Sequence, residues 1–143
     1  MVKHMLFIKY TKIDHTIECI NWKYYLEETY CIFTNIKPKY AVVHKYFELD
    51  TNGFLIIKQG YCWDGASGTF DTKNIMRASL VHDCVYQMIR TGLLSYTNKG
   101  EVDKLFHIIC KEDGMNYIYA KICYWMVSIF GDFTLTEGYL KLE

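Results

Sequence analysis

The chain has 143 residues, enough for one domain with a substantial core. Apolar residues make up 51% and charged residues 22%, which excludes a disordered chain. The 16 basic and 16 acidic residues cancel, so composition gives no overall pull toward nucleic acid or an anionic membrane, and no nucleic-acid partner is expected. The 13 tyrosines are expected to serve core and surface rather than a dedicated stacking platform.

The pattern predicts an α+β chain in one domain, 1–143. Residues 1–62 are β-rich, residues 63–131 are helical, and 132–143 form a tail. In the first part, residues 29–36 and 39–44 read as strands separated by Pro38, the sole proline. The runs 46–50 and 54–58 flank Thr51-Asn52-Gly53, and Asn-Gly between strand-like runs is a strong hairpin signal. The segment Tyr61-Cys62-Trp63-Asp64-Gly65-Ala66-Ser67-Gly68 reads as a Gly-rich loop.

From residue 72 the period turns helical. The first helix is predicted over Lys73–Arg90, with Asp71 or Thr72 as N-cap and Gly92 beyond its end. In the second, Asn98 and Glu101 have capping-box spacing, Gly114 marks the end, and Val102, Leu105, Phe106 and Ile109 form the inner face. A third helix carries Met115, Ile118, Tyr119, Ile122, Trp125, Met126 and Ile129 at three- and four-residue steps. That stripe reads as core packing, with the helix stopping at Gly131 and the tail from Phe133 as a loop, short strand or contact arm.

Six cysteines stand at 19, 31, 62, 84, 110 and 123, with no pair at zinc-ribbon spacing. The opening Met-Val-Lys-His has no signal-peptide pattern, and no apolar run is long enough to span a bilayer. Free, mostly buried thiols in a reducing compartment are therefore expected.

The chemistry concentrates at Ser79-Leu80-Val81-His82-Asp83-Cys84-Val85-Tyr86. Ser79, His82, Asp83 and Tyr86 lie along one helix edge, while Ala78, Val81, Val85 and Met88 line the other. Adjacent His82 and Asp83 diverge by about 100° around the axis, so one can hold a cation while the other meets water. Calcium takes six to eight hard oxygens, many of them carbonyls, and a Gly-rich loop can present them. Gly65 and Gly68 serve equally well to permit a strand-to-helix turn, with Asp64 or Ser67 making local turn bonds. Asp103 follows 21 residues after His82. On an antiparallel neighbouring helix it would face the imidazole and fix its tautomer; taken alone, it reads as an ordinary first-turn carboxylate.

A Gly-rich loop, His82-Asp83-Cys84-Val85-Tyr86, Arg90-Thr91-Gly92 and Asp103-Lys104-Leu105-Phe106 together resemble the phospholipase A2 superfamily, and are similar to the phospholipase domain of parvovirus capsid proteins over residues 60–112. The resemblance implies His82 as general base, Asp103 as its partner, and Tyr86 hydrogen-bonded to Asp103. It implies calcium held by Asp83 and by loop carbonyls at Trp63 and Gly65, with Asp64 as an added ligand or a turn cap and Ser67, Gly68 and Ser79 in support. It further implies a phospholipid or membrane-surface substrate. The secreted enzymes carry a cysteine at the third position after the histidine; here Cys84 is at the second and Val85 at the third, so their disulfide framework is not reproduced.

A longer pattern comprises Trp63-Asp64-Gly65-Ala66-Ser67-Gly68, the run from Met76 to Tyr86, Asp103 to Phe106, and Phe130-Gly131. It resembles a family of uncharacterised phage and prophage proteins over residues 45–131. That resemblance implies a phage or viral protein located in the virion or host cytoplasm. Its alternative role is a virion, tail or host-interaction component whose His-Asp-Tyr network is structural and whose partners are other virion proteins.

Overall fold

Alternation of apolar and half-exposed residues builds the N-terminal strands. The computed structural model describes residues 7–13, 22–65 and 72–137, the side chains of 133, 134, 136 and 137 excepted. The chain is α+β, with antiparallel strands in two sheets followed by three helices. Its contacts divide it into two compact units, Met1–Gly65 and Ala66–Glu143.

In the first unit, β3 (Tyr30–Phe33), β4 (Val42–Val43), β5 (Phe47–Leu49) and β6 (Phe54–Ile57) form a sheet in the order β3-β6-β5-β4. The predicted hairpin is β5–β6, registered with Phe47 opposite Ile57 and Leu49 opposite Leu55, all four buried on one face. Its turn is closed by Asp50, whose Oδ1 accepts the amides of Asn52 and Phe54 at 2.9 Å each. Gly53 takes φ +91°, and a Cβ there would collide with the Thr34 carbonyl oxygen, so glycine is required twice over. Where residues 39–44 were expected to form a full strand, only Val42 and Val43 pair.

The second sheet was not legible beforehand. β1 (Tyr10–Lys12), β2 (Tyr24–Leu26) and β7 (Cys62–Trp63) pair antiparallel in the order β1-β2-β7. Tyr10, Tyr24 and Trp63 cluster, with Tyr24 and Trp63 centroids 5.6 Å apart and Tyr10 edge-on to both. Thus Cys62 and Trp63, expected in a loop, begin that segment as a strand. Cys62 is moreover in a disulfide, whereas Cys31, Cys84, Cys110 and Cys123 are free thiols. The all-thiol expectation fails because spacing along a chain does not say which cysteines folding brings together.

In the second unit, α1 spans Lys73–Arg90 as predicted, with Thr72 as N-cap; Asp71 lies outside the described residues. Both edges of α1 are buried except at Asp83, so it is a central helix and not a half-exposed one. α2 spans Lys99–Glu112 and runs antiparallel to α1: Arg77 near the start of α1 meets Glu112 and Asp113, while Tyr86 near its end meets Asp103. The expected capping box does not form. Asn98 is already in helical conformation as the last residue of a 3-10 turn (Tyr96–Asn98), and Ser95 begins that turn by accepting the Thr97 amide.

α3 spans Tyr117–Glu137, so it neither stops at Gly131 nor leaves residues 133–137 as a tail. Gly131 is not a terminator. A Cβ on it would strike the Tyr86 ring and hydroxyl, so the glycine is the space that lets Tyr86 approach α3. Of the stripe expected in the core, Met115 is buried and Tyr119 and Met126 are half-buried, but Ile118, Ile122, Trp125 and Ile129 are exposed, and Ala120, Cys123, Val127 and Leu135 are buried instead.

Candidate functional site

Four donors converge on one buried carboxylate. Asp103, in the second turn of α2, is 2% exposed. Its Oδ1 accepts His82 Nε2–H at 2.8 Å and the Tyr86 hydroxyl at 2.5 Å, both from α1. Its Oδ2 accepts Lys99 Nζ at 2.8 Å and the Ser128 hydroxyl at 3.2 Å. An ionised carboxylate has about four lone-pair sites, and all four are used. The three helices of the unit are thereby joined at a single side chain.

The local geometry follows from spacing. His82 and Tyr86 are one turn apart on α1, so their rings stack with centroids 3.9 Å apart, and Phe106 of α2 closes edge-on to His82 at 5.4 Å. Lys99 precedes Asp103 by four residues, and its ammonium is also held by the Ser128 carbonyl at 3.2 Å and by Asp132 at 3.2 Å.

The protonation states are set by competition. Burial alone would raise the Asp103 pKa, but the bonds from His82, Lys99 and Tyr86 overcome it and bring the carboxyl from 3.8 to about 2. Burial pulls the His82 pKa below its ordinary 6.5, and the attraction of Asp103 restores only part of that loss. Burial, reinforced by Asp103, raises the Tyr86 phenol, so it stays protonated and donates. Lys99 is raised instead, because its bonds to Asp103 and Asp132 outweigh burial.

At neutral pH the site therefore holds Asp103 as the anion and His82 as neutral imidazole. Since Asp103 can only accept, the imidazole proton sits on Nε2 and the basic lone pair on Nδ1. Nδ1 lies 4.0 Å from Asp83 Oδ1 and hydrogen-bonds no described residue. A neutral imidazole, oriented by a buried carboxylate, with its free lone pair beside a second carboxylate, can accept a proton from water.

The structure brings together His82, Tyr86 and Asp103, with Asp83 beside them. Ser79 does not join, because its hydroxyl donates to the Met76 carbonyl within α1. Trp63, Asp64 and Gly65 belong to the N-terminal unit. There the Trp63 carbonyl and Asp64 Oδ1 both accept the Lys23 amide, at 3.2 Å each, and Gly65 takes φ +84°. Ser67 and Gly68 lie outside the described residues. Among the described residues no group of three or more His, Cys, Asp or Glu side chains stands close enough to hold a metal ion. A hard cation here would take its oxygens chiefly from backbone carbonyls, with Asp83, its side chain 27% exposed, as the carboxylate whose chemistry suits it.

Sequence reasoning missed Lys99, Ser128 and Arg77. Lys99 had a signal, an i,i+4 pairing with Asp103. Ser128 had none, being placed by α3. Arg77, 2% exposed, holds Asp113 through both Nε and Nη2 at 3.0–3.2 Å, and its Nη2 also reaches Glu112 at 2.7 Å.

Comparison of the chain with protein-family models, curated proteins and solved structures finds no match. Among the described residues, no helix is long and apolar enough to cross a membrane.

Proposed function

We propose that the protein is a phage- or virus-encoded hydrolase with a phospholipase A2-like site, acting on a phospholipid ester with His82 as general base. One observation carries the reading: His82 Nε2 lies 2.8 Å from the buried, fully bonded Asp103, which leaves Nδ1 as the ring nitrogen bonded to no described residue. Nδ1 would take a proton from water as the water oxygen bonds to the ester carbonyl carbon. Asp103 would stabilise the resulting imidazolium without itself taking the proton. Collapse of the tetrahedral species would break the ester C–O bond, with the proton passing from Nδ1 to the leaving alcohol oxygen. Tyr86, Lys99 and Ser128 hold Asp103 in place throughout. Calcium is the ion this reading implies, with Asp83 as its candidate ligand beside the imidazole; held there, it would supply positive charge for the developing oxyanion.

A second reading is favoured by the saturation of Asp103 itself. A carboxylate with every lone pair bonded to one of three helices is what a purely structural network requires, and a virion or host-interaction protein would need nothing more.

The deciding experiment is hydrolysis of phospholipid vesicles with calcium and with EDTA, for the wild type and His82→Gln. The hydrolase reading expects calcium-dependent turnover that falls by about 100-fold or more in the variant, while its helical signal is retained. A wild type that releases no fatty acid with calcium, and a His82→Gln variant that is merely less stable, would select the structural reading.

A further inference from the structure

α3 wears its large apolar residues on the outside. Ile118, Ile122, Trp125 and Ile129 are 69%, 46%, 54% and 56% exposed, and Tyr117 and Phe130 flank them. The opposite face carries the small or slender residues Ala120, Cys123, Val127 and Gly131, all buried. The exposed set is spaced four, three and four residues apart, the seam of a helix that packs lengthwise on another helix. Lys121 is the sole charged side chain from residue 117 to 131. Lone exposed leucines or isoleucines need no explanation, but a continuous stripe of this kind does.

We infer that this stripe is a self-association surface, on which α3 of a second copy of the chain packs about a twofold axis. The spacing reads the same in both directions. An antiparallel pair centred between Cys123 and Tyr124 sets Ile118 against the partner's Ile129, and Ile122 against the partner's Trp125. A twofold interface requires such a self-complementary patch. The area is also of the right order. With about 200 Å² for each large side chain, the four stripe residues alone offer on the order of 450 Å², over half of the roughly 800 Å² per partner in a stable interface. A chain of formal net charge zero meets no electrostatic opposition to pairing with itself. A lipid surface fits less well. A helix lying in a membrane interface needs a basic or polar outer face, and the face of α3 opposite the stripe is apolar and already buried. The inference is independent of what His82 does.

The test is the solution mass of the full chain by light scattering and sedimentation equilibrium, for wild type, Ile122→Glu, Trp125→Glu and, as a control, Val43→Glu. Val43 is an exposed residue of the other unit. The wild type and the control should have twice the chain mass. Each α3 variant should raise the dissociation constant by about thirtyfold or more, with its helical circular dichroism unchanged. Ile118→Lys is a further variant should either glutamate disturb folding. A wild type that stays at single-chain mass across the accessible concentrations overturns the proposal. So does a dimer that survives Ile122→Glu and Trp125→Glu. A single-chain protein that partitions onto phosphatidylcholine vesicles with a Trp125-dependent blue shift also overturns it, in favour of a lipid occupant.

Discussion

The two ends of the α1–α2 pair bury charge in different ways. At one end Arg77 is enclosed, and Asp113 and Glu112 answer it across the C-terminus of α2. At the other end Asp103 is enclosed, and His82, Tyr86, Lys99 and Ser128 answer it. The first end uses a cation that cannot lose its proton, held by partly exposed carboxylates, and it contains no imidazole. It fastens helices. The second end uses an anion held by four donors, one of them an imidazole, and it leaves one nitrogen, His82 Nδ1, with a lone pair bonded to no described residue. Burial of a charge between the same two helices thus yields a fastener in one place and a candidate proton acceptor in the other. The identity of the group left over makes the difference.

The largest effect is expected where a charge cannot discharge. Asp113→Ala removes the bidentate pair from the buried Arg77 and leaves Glu112 as its carboxylate partner among the described residues, a loss of about 4 kcal/mol in urea unfolding followed by helical circular dichroism. A loss below that of a surface substitution would show that Glu112 suffices and would blur the contrast. Asp103→Ala comes next, at about 3 kcal/mol, because four donors lose their acceptor but none is obliged to stay charged: His82 and Tyr86 are neutral, and Lys99 keeps Asp132. If it cost more than Asp113→Ala, the two ends would have to be ranked the other way.

The smallest effect is one of pH. Asp103 has its pKa lowered from 3.8 to about 2 in the folded chain, so the folded state is the weaker proton binder. Its contribution is complete above the unfolded value and is lost as pH falls from about 4 toward 2. The size is about 2 kcal/mol. Acid unfolding of the wild type should contain this limb and Asp103→Asn should lack it. Coincident acid curves for the two proteins would show that Asp103 is not held as an anion.

Much of the candidate site was legible because it is local. His82 and Tyr86 are one turn apart, and helical spacing alone puts their rings together. Asp103 was legible only through the supposition that α1 and α2 run antiparallel, and Ser128 was invisible because nothing near residue 128 refers to residue 103. Arg77 went unremarked for the same reason, since its partners are 35 and 36 residues away. The β5–β6 hairpin could be read from Asn52-Gly53, whereas β1, β2 and β7 could not. Two- and three-residue strands carry too little alternation, and their pairing is decided by distant segments.

By itself the sequence determined the elements whose causes are local. These are the α+β class, the limits of α1, the β5–β6 turn, and the edge of α1 on which the imidazole and phenol stand. Tertiary structure alone decided which groups complete the Asp103 carboxylate, that Gly131 continues α3 instead of ending it, and which side of α3 faces inward. The last case shows the physical reason. α3 is apolar nearly all round, so periodicity cannot choose a face. Close approach chose the side bearing Ala120, Cys123, Val127 and Gly131, where small residues let Tyr86 and the neighbouring helices come near, and it left Ile118, Ile122, Trp125 and Ile129 outside.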